Sequence, residues 1–420
     1  TKAYDKGQAL SASTVSQMYK DCNGGTYNIY TTWTANKYKI HFDKNATDAN
    51  GSMADMDMVY DVAKNLSENK FSREGYTFQG WNTAKNGSGT SYGDKALVNN
   101  LTATPNGTVT LYAQWQINPY TITLHALANK FDASAYTENG LGGTVQIDSG
   151  AANNKSTNAT YNYNTTYTIK AAAYTGYKFE GWYTDPSLSG TPVSTSASYT
   201  TSLGASNITY YAKFSVQSYQ ITVNPNGATG GTKTLNGVTT SKTITIVYGS
   251  TLKMTAPTRN GYIFAGWTKT VGTTGTLNST TGDSTFKCGA GDATITAQWN
   301  EREYTIVFDP AGGSVTPTSD TFTINDSISL PTPTRTGYTF SGWKVTTASG
   351  NWVKDKIYTG TSIPSGMFGN VTVTAQWTPN SITLHYDGKG NTGGTIPADS
   401  TFKYGASVTT AAAPTKGYTV

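Results

Sequence analysis

The sequence predicts a mainly β protein, a tandem array of small modules forming an elongated rod. Three strings of residues that recur in fixed order, and the weakness of any helical periodicity, lead to that prediction. The first string opens each repeat: Tyr38, Ile40 and Phe42 alternate with polar residues, as do Tyr120, Ile122 and Leu124, then Tyr219, Ile221 and Val223, then Tyr304, Ile306 and Phe308. A later copy has Ile382 and Leu384 in this phase, with Asn380 where the Tyr should stand. The second string is G-Y-x-F-x-G-W, at Gly75 to Trp81, Gly176 to Trp182, Gly261 to Trp267 and Gly337 to Trp343; a fifth copy begins at Gly417-Tyr418. The third follows 32 or 34 residues after each Trp and reads VTLYAQW to Trp115, ITYYAKF to Phe214, ATITAQW to Trp299 and VTVTAQW to Trp377. An earlier copy of it, YNIYTTW, ends at Trp33.

Each element follows from its spacing. Apolar residues at every second position over five to seven residues describe a strand with one buried face, which accounts for the opening and closing strings. Inside G-Y-x-F-x-G-W the rings are also in phase until the second Gly, which marks a bulge or the close approach of another backbone. The in-phase aromatics are therefore the predicted core: Tyr76, Phe78, Trp81 and Trp115; Tyr177, Phe179, Trp182 and Phe214; Tyr262, Phe264, Trp267 and Trp299; Tyr338, Phe340, Trp343 and Trp377. Glycine-rich turns such as Gly312-Gly313, Gly230-Gly231 and Gly393-Gly394 follow several opening strands. The best helical candidate is Met58 to Glu68, where Met58, Val59, Val62, Ala63 and Leu66 have roughly helical spacing.

Successive G-W pairs lie 101, 85 and 76 residues apart, so each repeat is long enough to bury its own core, unlike a solenoid repeat. Connections of four residues restrict bending, and compact-domain scaling gives about 30 Å per module. A connection that short between two alternating strands could equally be a hairpin loop, which would move the module boundary.

Composition excludes several classes. Aromatic residues make up 12% of the chain, too many for a disordered linker to leave in water. The net charge of +5 is spread along the sequence, and Arg occurs only at Arg73, Arg259, Arg302 and Arg335, so the clustered basic face of a nucleic-acid binder is missing. No apolar stretch in the sequence reaches the length of a membrane span, and the first residues do not form a signal peptide. Cys22 and Cys288 each stand eleven residues before a strand-final Trp, which makes them equivalent positions in separate modules. They read as half-buried or buried thiols, with an intermolecular bridge as the other possibility.

The three strings in this order resemble the Listeria–Bacteroides repeat, which includes the B-repeats of internalin-type proteins, and the resemblance covers nearly the whole chain. It implies β-grasp-like modules with a twisted sheet and little helix, placed in tandem in bacterial surface proteins between a binding domain and an anchor. On that phase the expected segments are 1–36, the end of a truncated repeat; modules 37–117, 118–216, 217–301 and 302–378; and 379–420, the start of another. The second module departs from the pattern by an insertion of some 20 residues around Phe131 to Lys155 and by ending in Phe214. An insertion of this kind suits a surface loop, where binding residues usually sit.

No catalytic, cofactor or metal residues are predicted. His41, His125 and His385 fall in three different modules, with His125 and His385 at equivalent places and His41 two positions earlier. Asp55 and Asp57 lack the twelve-residue loop of a calcium site. Lys to Asn isopeptide cross-links would show as a mass deficit of about one ammonia per bond. Tyr112, Tyr211 and Trp352 are out of phase with the core and are the candidate exposed aromatic contacts. The expected function is a non-enzymatic stalk or adhesin segment, extracellular at the cell surface or wall. Its expected partner is a surface protein or glycan of a host or neighbouring cell. A glycan- or mucin-binding array and a self-assembling filament or sheath subunit are the alternatives.

Overall fold

In a computed structural model, five of the strands between Lys37 and Ile117 form one mixed sheet. Strand Lys37–Asp43 pairs antiparallel with Met56–Val59 and parallel with Thr108–Ile117, which pairs antiparallel with Tyr76–Asn82. The first and last long strands thus lie side by side and parallel at the centre, the arrangement expected of a β-grasp-like sheet. The same pattern recurs twice. Ser218–Asn224 lies between Lys242–Val247 and the parallel strand Ala293–Glu301, which pairs with Tyr262–Val271. Tyr304–Asp309 lies between Ser319–Phe322 and the parallel strand Val371–Pro379, which pairs with Tyr338–Ala348. The chain is mainly β, with many small sheets in tandem.

The structure describes residues 9–411 except 24, 27, 30–32, 131–132, 231–238, 272–274 and 391–392. The chain divides into two compact units. The first is Thr1–His125, Val145–Lys170 and Trp182–Tyr211, and the second is Ala126–Thr144, Ala171–Gly181 and Ala212–Val420. Strands between Pro119 and Val216 form two further sheets. In one the order is Ser156–Asn162, Pro119–Ala128, Ile208–Val216, Tyr177–Tyr183; in the other it is Ser198–Ser202, Thr166–Ala173, Gly143–Ile147. Short connections are not hairpin loops: Thr108–Ile117 pairs backwards in sequence, while Pro119–Ala128 pairs forwards with Ser156–Asn162.

Alternation sets what is buried. Tyr38, Ile40 and Phe42 point inward from the first strand, Leu111 and Ala113 from the last, and Phe71 and Trp81 complete that core. The bulge expected at the second Gly is present: register shifts between Phe78 and Gly80, Phe264 and Gly266, and Phe340 and Gly342. Skipping one pleat there brings Trp81, Trp267 and Trp343 onto the same face as Phe78, Phe264 and Phe340, and all three indoles are buried.

Several expectations are corrected. Met58 to Glu68 is not a helix: Met56–Val59 is a strand with Met56 and Met58 buried, and Lys64–Asn65 pairs with Leu97–Val98. Period-two burial of the two Met side chains at the sheet edge overrides the looser helical spacing. The chain has instead a helix at Ala12–Asp21, capped by Ser11, whose hydroxyl accepts from Thr14 N–H. Cys22 caps that helix while Cys288 lies in the strand Ser284–Cys288, so the two thiols are not equivalent; both are free. In the first copy of the closing string, Tyr27, Tyr30, Thr31 and Thr32 lie outside the described residues, and Trp33 is 89% exposed and not in a strand. Gly231, Phe131, Gly417 and Tyr418 also lie outside them. The insertion of the second repeat is not simply a loop, because it contributes Gly143–Ile147, with Val145 and Ile147 buried.

Candidate functional site at the joints between sheets

Where one sheet hands over to the next, the same small structure is built four times from the start of G-Y-x-F-x-G-W. The residue three before the Tyr accepts a hydrogen bond from the Tyr N–H, as Arg73, Tyr174, Arg259 and Arg335 do for Tyr76, Tyr177, Tyr262 and Tyr338. This tight turn needs the left-handed conformation at the intervening Gly, φ +74° at Gly75. The Gly carbonyl then accepts from the connecting residue: Asn118 N–H at 2.9 Å, Gln217 at 2.9 Å, Arg302 at 3.0 Å and Asn380 at 2.8 Å. In three joints the connecting residue's own carbonyl accepts from the backbone N–H of a Tyr at a hairpin tip of the next sheet, Tyr163, Tyr248 or Tyr404.

Side chains close the joint. The tip ring lies over the Gly, so a Cβ on Gly75, Gly176 or Gly337 would collide with Tyr163, Tyr248 or Tyr404. Ring pairs meet edge to face: Tyr76 with Tyr163 at 6.1 Å, Tyr177 with Tyr248 at 6.3 Å, and Tyr338 with Tyr404 at 5.6 Å. Burial beside Tyr248 pushes the Tyr177 phenol up from its ordinary pKa. Arg73, Arg259 and Arg335 lie 3.6, 3.9 and 4.0 Å from the ring centroids of Tyr76, Tyr262 and Tyr338. The third joint differs: Ile324 takes the tip position, and Asn325 donates to the Tyr262 hydroxyl and to Glu301.

The predicted core aromatics therefore separate into two groups. Trp81, Trp182, Phe214, Phe264, Trp267 and Trp343 are buried. Phe78, Phe340, Trp115, Trp299 and Trp377 are partly buried against their cores, and Phe179 contacts Phe214 at 5.6 Å. The indole N–H groups of Trp115, Trp299 and Trp377 donate to Lys44, Pro225 and Pro310 carbonyls. Tyr76, Tyr177, Tyr262 and Tyr338 are half-buried at the joints instead, which corrects their assignment as core. The reason is position: Tyr76 pairs with Ile117, and Tyr338 with Pro379, where the sheet gives out onto the connection. Sequence reasoning missed Arg73, Arg259, Arg335 and the tip tyrosines. The recurrence of Arg three residues before Tyr was a readable signal.

Of the three candidate surface aromatics, Trp352 is corrected outright. It is 6% exposed, in contact with Phe322 and Tyr358, and its indole N–H donates to the Gly369 carbonyl at 2.9 Å. The loop folds inward because Asn351 donates to Gly366 O and accepts from Phe368 N–H. Tyr112 is half-exposed with Lys85 Nζ 5.4 Å from its ring centroid, and Tyr211 stacks on His125 at 5.2 Å and 14°. His41 and His385, not His125 and His385, are the equivalent pair: each Nδ1 lies 2.8 Å from an Asp fourteen residues later, Asp55 or Asp399. Ile382 accordingly takes the place of the opening Tyr, facing Phe402 as Tyr120 faces Tyr161, and Asn380 takes the joint position of Asn118.

Among the described residues, no group of three or more His, Cys, Asp or Glu could hold a metal ion, and no helix is long and apolar enough to cross a membrane. The buried Asn82 side chain bonds within its own turn, to Ala84, Gly87, Gly89 and Ser91.

Comparison with known proteins matches residues 38–114, 144–213 and 304–376 to the Listeria-Bacteroides repeat domain, and residues 219–303 to the divergent InlB B-repeat domain. A Gly-rich membrane protein of Evansella cellulosilytica is 26% identical over 368 residues, 85% of this chain and 35% of that protein. Internalin H of Listeria monocytogenes is 37% identical over 129 residues, 30% of this chain and 21% of that protein. The chain thus spans about a third or less of these relatives. Among solved structures, the Bacillus anthracis TIE protein aligns over 88% of this chain and 80% of its own at 10% identity, with a TM-score of 0.34. With its repeats matched over more than half its length, the chain belongs to the Listeria-Bacteroides repeat family.

Proposed function

We propose that this chain is a non-enzymatic stalk or adhesin segment of a bacterial cell-surface or secreted protein, built from the modules 37–117, 118–216, 217–301 and 302–378 between two partial ones. In this reading it holds a binding domain away from the cell and adds weak, multivalent contacts of its own. The observation that carries it is the repeated joint. Four times, a connection of a few residues is hydrogen-bonded to the Gly carbonyl and a side chain is laid over that Gly, and in three of the four a second backbone bond ties the connection to the next sheet, which suits a spacer more than a flexible tether. Membership of a repeat family found in internalin-type proteins supports the surface location.

The test is to display the whole chain between an epitope tag and a wall anchor, then delete 217–301. The tag should move about 30 Å closer to the wall by super-resolution or neutron reflectivity measurement. An unchanged tag height would overturn the spacer reading.

A second reading, a glycan- or mucin-binding array, is favoured by Tyr211 and Tyr112, half-exposed on outward strand faces. Glycan binding by the full chain that disappears in Tyr211→Ala or Tyr112→Ala would favour it over the spacer.

A further inference from the structure

We infer that the hairpin tips couple neighbouring sheets, so that each sheet is held closed by the one that follows it. This goes beyond the spacer reading, which needs length and orientation but no exchange of stability between neighbours. Tyr76 belongs to neither the core of its own sheet nor open solvent. It is flanked by the Arg73 guanidinium and the Tyr163 ring, so the next sheet supplies part of its burial. Tyr76 also begins the strand that continues into Phe78 and Trp81, both part of the preceding core. Anything that fixes Tyr76 therefore fixes the edge of that core.

Two backbone hydrogen bonds through Asn118 and the Tyr163 ring over Gly75 supply the fixing, and Thr77 Oγ1 donates to the Asn118 side chain at 2.7 Å. The fourth joint repeats each part, with Tyr338, Asn380, Tyr404 and a Thr339 bond to Asn380 at 2.6 Å. The contact is shared, so its energy counts for both sheets. Tyr163 touches the preceding sheet's corner, while its own turn is closed by a bond from Thr165 N–H to Asn162 O and tied to the end of strand Ser198–Ser202 by Asn164 N–H to Leu203 O. At the third joint an aliphatic side chain, Ile324, replaces the ring, and coupling there is weaker. In this respect the array behaves as a nearest-neighbour chain, although each repeat carries its own core.

The test is amide hydrogen exchange on the full chain. Tyr163→Ala should accelerate exchange about tenfold in residues 75–82 and 108–117, which belong to the sheet before the substitution. Tyr404→Ala should do the same at 338–348 and 371–379, and Ile324→Ala should change 262–271 by only about two- to threefold. Acceleration confined to 156–166 around Tyr163→Ala would overturn the inference. If Tyr163→Ala unfolds its own hairpin, Tyr163→Leu decides, since it keeps an apolar tip like that of the third joint. A rise in exchange at 75–82 with the hairpin still protected supports coupling, and no rise there overturns it.

Discussion

Removing the Trp352 indole would leave a hole against Phe322 and Tyr358 and an unpaired carbonyl at Gly369. Trp352→Ala should cost about 3–5 kcal/mol in chemical denaturation of the 302–378 sheet, whereas half-exposed Tyr112→Ala should stay within about 0.5 kcal/mol. Equal effects of the two would contradict the burial described here. A second residue-scale prediction concerns alkali. Tyr161 donates to the Asp148 carboxylate at 2.6 Å, and that bond, with burial and the nearby charge, pushes its phenol up to about 12. A pKa raised on folding stabilises the protonated form, so this contribution is intact below the ordinary value near 10 and is lost as pH rises from there through about 12. Tyr161→Phe should flatten the melting temperature against pH in that window, and an unchanged slope would count against it. Residue roles were legible where alternation decided them, as for Ile40 and Ile306. They were not where a loop folds back: nothing in Ser349-Gly350-Asn351 before Trp352 announces that Asn351 will tie it inward.

Among elements, the bulged strand Tyr76–Asn82 is the most demanding. Gly80 has φ +132°, and a Cβ there would come within 2.6 Å of the Tyr92 carbonyl of the neighbouring edge strand. Gly80→Ala should therefore displace Ser91–Tyr92 and destabilise the sheet by more than about 1 kcal/mol, visible as lost protection of the Tyr92 region. The same change at solvent-facing Gly93, where nothing lies within 4 Å, is the control. The bulge itself could be read from the second Gly of the string, since an in-phase Trp after it requires one residue to be skipped. Met56–Val59 could not, because a four-residue edge strand leaves too few positions to separate period two from period 3.6. Gly143–Ile147 was hidden for a related reason: an insertion in a repeat carries no internal copy for comparison.

For the whole molecule, repetition made the architecture readable, and the joints were the part least visible. Three apolar strings fixed in order are enough to imply tandem sheets, but a joint is assembled from residues far apart in the sequence, such as Gly75, Asn118 and Tyr163. Only their recurrence in four places could have exposed it, and the pattern is blurred by Ile324 and by Tyr174 in place of Arg.

The central pairing of each sheet has a mechanical consequence. In Lys37–Ile117 the chain enters along Lys37–Asp43 and leaves along Thr108–Ile117, two parallel neighbours in register from Lys39 with Thr108 to Asp43 with Tyr112. Entry and exit are then at opposite ends of one ladder, so tension applied through the chain slides the two strands past each other and loads their hydrogen bonds in shear. Strands Ser218–Asn224 with Ala293–Glu301, and Tyr304–Asp309 with Val371–Pro379, are loaded the same way. Stretching the full chain in an optical trap should give abrupt, whole-sheet ruptures, where a hairpin pulled from one end would peel apart pair by pair.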